Sequence, residues 1–211
     1  MSSRGRVWHG ATFAVTTAAL LLQLALVVRG HGVLADTRPP ALGTRLVRFV
    51  SYFTILSNLL VAVTSYLLLT GHWHTRVFRV LRLNAVTGIA VTGLVHWTLL
   101  RPLLDLHGAD LLADKLLHVV VPLLAVVGWV ALGPRGLVRS EDLAPSAIYP
   151  TLYLAWTLVH GATSDWYPYP FVDVTEHGYA VVLLNALGVV VLLVAICLLA
   201  LRLDRRLPGD R

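Results

Sequence analysis

Charged residues are scarce in this chain of 211 amino acids. Aspartate, glutamate, lysine and arginine make up 13% of it, whereas an ordinary soluble domain has roughly a quarter. Hydrophobic residues make up 57%, and the mean hydropathy is +0.75. A globule of this composition has too few polar groups to cover its surface in water, so the sequence excludes an ordinary soluble fold.

Cysteine and lysine are almost absent, with Cys197 and Lys115 the sole examples of each. One cysteine excludes an intrachain disulfide framework and a cysteine-based zinc site. The net charge of +6 comes almost wholly from arginines, which stand in short clusters between apolar runs. Because this placement is typical of residues that flank membrane spans, we expect no nucleic-acid partner.

Six apolar segments are long enough to cross a bilayer as helices. Their approximate limits are 8–28, 50–70, 83–104, 114–133, 146–163 and 178–201. The fifth is the weakest, because its apolar run is short and rich in Tyr, Trp and Thr. Since the loops are short, the sequence predicts one all-α domain over 1–211, a polytopic membrane bundle of about six transmembrane helices.

The first apolar segment also resembles a secretory signal peptide. Arginines precede it, and Val33-Leu34-Ala35 loosely matches a cleavage site. However, its apolar stretch over 11–28 is long for a signal core, and Arg29 separates it from that site. We therefore expect a retained helix.

The distribution of Lys and Arg predicts the orientation of the bundle. With six spans, both termini share a side with the loops after the second and fourth spans. That side holds eleven of the 17 cations, including Arg211. The opposite side holds Arg29, Arg38, Arg45, Arg48, Arg101 and Lys115. We expect a plasma-membrane protein with both termini in the cytoplasm.

Polar side chains inside the predicted spans recur at helical spacing. They include Thr54, Asn58, His96, His118 and His160. Polar groups are costly in hydrocarbon and usually face the bundle interior. Hydrogen bonds between helices, or from Thr to the carbonyl one turn back, are a sufficient structural explanation for most of them. Histidines are harder to explain in this way, because they are rare in spans and titrate near neutral pH.

Three of these residues lie at similar depth on the predicted outer side. Thr54 and His118 each lie four residues into a span, about 6 Å along the helix, and His160 lies near the outer end of the fifth. If their helices are neighbours, they can meet. A hydroxyl beside a neutral imidazole is the minimum for nucleophilic acyl transfer. Asn58, one turn below Thr54, is a candidate oxyanion donor, and His96 lies somewhat deeper.

Three segments resemble the FAR-17a/AIG1-like family, whose bacterial members are described as Pr6Pr family membrane proteins. They are Tyr-Phe-Thr-Ile-Leu-Ser-Asn at 52–58, Leu-His-Val-Val-Val-Pro at 117–122, and Val-His-Gly at 159–161 followed by Trp-Tyr-Pro-Tyr-Pro-Phe at 166–171. Read without the resemblance, the aromatic and proline residues of 166–171 indicate a belt at the membrane interface.

The resemblance implies a multi-spanning threonine hydrolase. Its animal relatives cleave fatty acid esters of hydroxy fatty acids with an intramembrane Thr and His. On this chain those residues would be Thr54 as nucleophile and His118 as general base. The stretch between them is shorter than in the animal proteins. The expected partners are membrane lipids and a lipid ester substrate, without cofactor or metal.

Two other functions remain open. The polar stripes would also suit a transporter or small-molecule binding protein, although no predicted span has Asp or Glu near its centre, which counts against ion coupling. His96, His118 and His160 would suit a haem or metal site, although no helix carries two well-spaced histidines. Asp114 and Asp165 are candidates to orient His118, but we expect both at the interface in contact with water.

Overall fold

The computed structural model describes residues 1–32 and 39–207, and every regular element in these ranges is helical. The candidate cleavage site Val33-Leu34-Ala35 and the cations Arg38 and Arg211 lie outside the described residues. The helices are α1 (Ser3–Val28), α2 (Leu42–Val50), α3 (Phe53–Thr70), α4 (Arg76–Val95), α5 (Gly108–Lys115), α6 (Val121–Leu132), α7 (Leu143–Ser146), α8 (Ile148–Ser164) and α9 (Val174–Arg206).

Several helical turns depart from α geometry. A π-helical turn over His96–Leu100 extends α4, and a second over Leu116–Val120 joins α5 to α6. Short 3-10 turns follow at Arg101–Leu103, Ser140–Asp142 and Pro170–Val172. π turns are rare in proteins and are frequent at functional sites.

Five segments in the described part of the chain are long and apolar enough to cross a membrane, judged by length and composition. They are Ser3–Val28, Phe53–Thr70, Arg76–Leu103, Gly108–Leu132 and Val174–Arg206. Each overlaps one of the six predicted spans. The count differs from six because α8, the weakest predicted span, has only 17 residues, whereas a bilayer requires about 20.

The helix of the second predicted span begins at Phe53, three residues later than the predicted start at 50. Residues 50–70 do not form one helix, because α2 ends at Val50 and Tyr52 is extended with φ −83° and ψ 127°. The helix that follows starts at Phe53, so Thr54 lies in its first turn. The predicted depth of four residues was therefore wrong, and Thr54 lies at the helix end.

The core lies where α1, α3, α4 and α6 pack together, and α9 packs against α4 and α6 through Ala200. Fully or nearly fully buried apolar side chains fill it, among them Val61, Ile89 and Val121. Much of α9 faces outward, and large apolar residues such as Leu184 and Val191 are exposed on it. An exposed apolar face of this extent is typical of contact with lipid.

Hydrogen bonds attach α8 to the start of α3. Tyr153 Oη donates to the carbonyl of Ser51 at 3.2 Å, and the indole nitrogen of Trp156 donates to Ser51 Oγ at 3.0 Å. Further along, the hydroxyls of Tyr149 and Ser57 lie 3.2 Å apart. These bonds hold α8 beside the end of α3 that carries Thr54.

Buried charged residues lie at the end of the bundle opposite Thr54. Arg79 donates to both carboxylate oxygens of Asp142, and Asp142 is fully buried. The guanidinium of Arg82 donates to the carbonyls of Gly133 and Pro134, just beyond the last turn of α6. A cation is favourable at this position because it lies at the negative end of the helix dipole.

Candidate active site

Thr54 and His118 are in direct contact. Thr54 Oγ1 lies 3.2 Å from His118 Nε2, and the Thr54 residue is 7% exposed. Thr54 comes from the first turn of α3, and His118 from the π turn between α5 and α6. The two residues for which the sequence predicts a nucleophile and a base are thus brought together from distant parts of the chain.

The other ring nitrogen of His118 faces two acceptors. Nδ1 lies 3.0 Å from the carbonyl oxygen of Asp114 and 3.1 Å from its carboxylate Oδ1. Because both partners only accept, Nδ1 carries the proton of the neutral ring. Nε2 is then left with its lone pair toward Thr54, which is the tautomer that a general base requires.

Asp114 is deeply buried, and the expectation that it lies at the interface in contact with water was wrong. Its side chain is 4% exposed, and His96 Nε2 lies 3.2 Å from the same oxygen that faces His118. The two imidazole rings stack with centroids 3.8 Å apart and planes at 12°. One carboxylate therefore contacts two stacked histidines. Asp165, the other candidate acid, is exposed at the end of α8.

A close approach of helices makes this stacking possible. Gly93 lies three residues before His96 on α4, and a Cβ there would stand 3.3 Å from the carbonyl oxygen of His118 and 3.4 Å from Pro122. Because glycine has no Cβ, α4 can approach the π turn closely enough for the two rings to meet.

Asn58 is not the oxyanion donor that its spacing predicts. Its amide nitrogen donates to the carbonyl of Thr54 at 2.8 Å and to that of Leu117 at 3.3 Å. Both bonds go to backbone groups, and the residue is fully buried. Leu117 precedes His118 in the π turn, so Asn58 connects the segments that carry Thr54 and His118, and both of its amide protons are used in doing so.

Tyr169 is the site residue that the sequence reasoning missed. Its hydroxyl accepts the backbone N–H of Thr54 at 3.3 Å and lies 3.4 Å from Thr54 Oγ1. Burial raises the pKa of the Tyr169 hydroxyl, so it stays protonated and can donate. For the segment 166–171 the sequence predicts either an aromatic belt at the membrane interface or, by the family resemblance, a late aromatic-proline segment, and neither gave Tyr169 a role. The tyrosines beside its prolines were the available signal.

The segment that carries Tyr169 is held by a glycine of α8. The ring of Tyr167 occupies the space where a Cβ of Gly161 would stand, and Tyr167 is 6% exposed. On the other side, Asn185 of α9 donates to the carbonyl of Phe171 at 2.8 Å. The position of the Tyr169 hydroxyl is thus set by packing against α8 and bonding to α9.

The N-terminus of α3 provides a positive electrostatic potential that favours negative charge beside Thr54. The first N–H groups of a helix have no carbonyl partner inside it and carry the positive end of the helix dipole. Thr54 lies among these groups, and its own N–H points to Tyr169. A negative charge that develops beside Thr54 Oγ1 would therefore meet a hydroxyl proton and a helix N-terminus.

His160 does not join Thr54 and His118. Its ring stacks on Trp156 with centroids 5.2 Å apart and meets Trp166 edge-on at 5.9 Å. Trp166 in turn contacts the ring of Tyr52, which precedes α3. Of the three residues predicted to converge, Thr54 and His118 meet. His160 lies instead in an aromatic cluster with Trp156 and Trp166.

Two cavities meet at Thr54. The first, which we term the polar cavity, has a volume of about 170 Å³, and its lining includes Thr54, His96, Asp114, His118, Tyr169, Arg45 and Arg48. The second, which we term the apolar groove, has a volume of about 310 Å³ and runs between α4, α8 and α9. Thr54 and Tyr169 line both. Thr54 thus stands on a shared wall between the two cavities.

His96, Asp114 and His118 also form a donor set that could hold a metal ion, because one ligand atom of each lies within 4.8 Å of the others. Two histidines and a carboxylate are a known set for iron. Imidazole lone pairs lie in the ring plane, however, and two nearly parallel rings 3.8 Å apart cannot both direct one at a single ion. The parallel rings therefore disfavour a metal centre in this arrangement of side chains, although His96 Nε2 and Asp114 Oδ2 have no hydrogen-bond partner among the described residues.

Comparison of the chain with protein-family models, curated proteins and solved structures finds no match.

Proposed function

We propose that this chain is a membrane threonine hydrolase of the FAR-17a/AIG1-like type, acting on lipid esters such as fatty acid esters of hydroxy fatty acids. The observation that carries the proposal is the line of contacts from Thr54 Oγ1 through His118 to Asp114, with distances of 3.2 and 3.1 Å. It reproduces the roles of a nucleophile, a base and an orienting acid.

We further propose that the helical bundle spans the membrane with a defined orientation. Five helices with the required length and composition support it, and α8 would be a sixth, short crossing that is bonded to α3 through Tyr153 and Trp156. With six crossings, both termini lie in the cytoplasm of a plasma-membrane protein and Thr54 lies near the outer leaflet. Membrane lipids and the lipid ester are its partners, and no cofactor or metal takes part.

Acylation begins at the Thr54 hydroxyl. His118 Nε2 removes its proton as Oγ1 attacks the ester carbonyl, and Asp114 stabilises the imidazolium that forms. Collapse of the tetrahedral intermediate breaks the ester bond, and His118 gives the proton to the departing alkoxide. The alcohol leaves, and the acyl group remains bonded to Thr54 Oγ1.

Deacylation repeats the cycle with water. A water in the polar cavity loses a proton to His118 Nε2 as its oxygen attacks the acyl carbonyl. The second intermediate then expels Thr54, which regains its proton from His118, and the carboxylic acid is released. In both intermediates the Tyr169 hydroxyl and the N-terminus of α3 stabilise the oxyanion.

Covalent labelling tests the nucleophile directly. A fluorophosphonate probe of serine and threonine hydrolases should label the wild-type protein, and Thr54→Ala should abolish labelling because the attacking oxygen is gone. Thr64→Ala is the matched control, since Thr64 is buried on the same helix and bonds only to backbone carbonyls one turn back. Equal labelling of wild type and Thr54→Ala would disprove the assignment.

Removal of the Tyr169 hydroxyl should slow hydrolysis. We expect Tyr169→Phe to lower kcat by about 10²- to 10³-fold, the usual effect of losing one oxyanion donor. The measurement is the initial rate on a lipid ester in detergent or nanodiscs. Tyr167→Phe is the control, because Tyr167 packs on Gly161 away from Thr54. Unchanged kcat in Tyr169→Phe would remove this residue from the mechanism.

A transporter or small-molecule binding protein is the second candidate. It is favoured by the burial of Asp114 between His96 and His118 in a predicted span, because buried intramembrane carboxylates mark ion and proton pathways. Transport requires no nucleophile, so the labelling experiment separates the two candidates: a probe adduct on Thr54 supports only the hydrolase.

A further inference from the structure

The apolar groove has one end at the reactive hydroxyl. Phe53, Thr54 and Tyr169 line that end together with Phe171 and Val172. The bond from Asn185 to the carbonyl of Phe171 places the next residue of α9, Ala186, at the same level. From Ala186 the lining continues along α9 through Val190 and Val194 to Cys197 and Leu198. The groove therefore extends in one direction away from Thr54.

The length of the groove follows from the helix that lines it. Ala186 and Leu198 are twelve residues apart on α9, which corresponds to about 18 Å of helix. A linear carbon chain advances about 1.25 Å per carbon, given bonds of about 1.5 Å at angles of about 111°. The groove thus matches a chain of about 14 carbons.

The lining of the apolar groove contains no charged residue in the described part of the chain. The residues that α9 contributes are Ala186, Val189, Val190, Leu193, Val194, Cys197 and Leu198. Polar residues contribute from the other helices, among them Asn84, Thr87 and Thr92. The hydroxyl of Thr87 donates to the carbonyl of Leu83. Neither a headgroup nor a carboxylate would find a charged partner here, whereas a hydrocarbon chain needs none.

The groove also opens toward the surface that faces lipid. Val190 is 43% exposed and Val194 is 51% exposed, although both line the groove. Its wall along α9 is therefore incomplete, and a chain can enter sideways from the bilayer without passing through the polar cavity.

We propose that the apolar groove binds the acyl chain of the ester as a single linear chain of about 14 carbons, with its carbonyl carbon at Thr54 Oγ1 and its methyl end beside Cys197. The inference rests on the proposed hydrolase, because that function identifies Thr54 as the point where the chain begins. It assigns the acyl half of the substrate to the groove and the alcohol half to the polar cavity.

Cys197 provides a reporter of occupancy that requires no hydrolysis. It is the sole cysteine of the chain and lies eleven residues beyond Ala186, about 16 Å along α9 and thus opposite about the thirteenth carbon. The experiment measures the rate at which N-ethylmaleimide alkylates Cys197 in the purified Thr54→Ala protein, with linear fatty acids of increasing length. Mass spectrometry quantifies the adduct.

We expect tetradecanoic acid at saturation to slow alkylation of Cys197 at least about tenfold, and hexanoic acid to leave it unchanged because its chain ends well short of the thiol. Equal protection by both acids, or protection by neither, would overturn the assignment of the groove. Because Thr54→Ala cannot form an acyl-enzyme, this result is independent of whether the wild type hydrolyses esters.

A matched pair of variants tests the same assignment through specificity. Val190→Phe replaces an isopropyl group of the lining with a phenyl ring about 6 Å beyond Ala186. Val191→Phe makes the same change at a residue that is 60% exposed and outside the lining. We expect Val190→Phe to lower kcat/KM for a 14-carbon acyl ester at least about tenfold while sparing a 4-carbon ester, and Val191→Phe to change neither.

The outcomes of the two experiments separate the two proposals. An unchanged chain-length profile in Val190→Phe, with normal turnover, would overturn the groove assignment and leave the hydrolase standing. Length-dependent protection of Cys197 in Thr54→Ala, together with no ester turnover by the wild type, would support the groove and overturn the hydrolase.

Discussion

Ester turnover should fall by the same factor, at least about a thousandfold, in Thr54→Ala, in His118→Ala and in the double variant. Thr54 Oγ1 and His118 Nε2 lie 3.2 Å apart, and in the proposed mechanism both act on the same proton. Without the Thr54 hydroxyl, His118 has no proton to remove, and without His118 the hydroxyl is not activated. Effects of residues that act as one unit are therefore not additive. The measurement is kcat/KM on a branched fatty ester, with protein amount and folding matched between variants.

Two results would contradict this prediction. Losses that multiply in the double variant would mean that the two residues act independently, and full turnover in either single variant would exclude the mechanism. Thr64→Ala is the control for a loss of threonine from α3, because Thr64 lies ten residues beyond Thr54 on that helix. It should retain the wild-type rate.

Asp114→Asn should lower kcat by about 10²- to 10⁴-fold and leave KM nearly unchanged, in the range known for loss of the orienting acid of a catalytic triad. The carboxylate now accepts from His118 Nδ1. An amide in its place would remove the negative charge that stabilises the imidazolium in the proposed mechanism. The shape of the site and the bond from Nδ1 to the backbone carbonyl of residue 114 would be retained.

Asp110→Asn is the matched control, since Asp110 lies one turn earlier on α5 and pairs with His31 at 2.8 Å on the surface. It should change neither constant. A purely structural role for Asp114 would lower the amount of folded protein and leave kcat per labelled site intact. Active-site titration with the fluorophosphonate probe distinguishes that case from the expected loss of kcat.

The helices could be predicted from the sequence because apolar runs of sufficient length have few alternatives. In a bilayer every backbone N–H and C=O must be paired within the segment, which favours the helix. Five predicted spans therefore coincide with long apolar helices. The sixth, at 146–163, was the weakest prediction, and α8 is short and bonded to α3 through Tyr153 and Trp156.

The composition of the site could be predicted only in part. Similar predicted depth suggested that Thr54, His118 and His160 can meet, but depth does not determine which helices are neighbours. His160 packs on Trp156 and Trp166 instead. Asp114 was expected near water because it opens a predicted span at 114–133. In the structure the helix begins six residues earlier, at Gly108, so that Asp114 lies inside the bundle.

Local deviations of the backbone were not predictable from periodicity. The π turn over Leu116–Val120 changes the direction in which His118 points, and a spacing of 3.6 residues per turn does not anticipate it. Tyr169 reaches Thr54 from a segment without regular periodicity. Asn58 has the spacing of a site residue, yet its amide protons go to the carbonyls of Thr54 and Leu117.

The shared wall at Thr54 has a consequence for the proposed reaction. In the proposed acyl-enzyme, the acyl chain occupies the apolar groove on one side of Thr54, and the alcohol leaves from the polar cavity on the other side. Water can then take the place of the alcohol while the acyl chain stays where it is. The two half-reactions would therefore require no movement of the acyl chain between them.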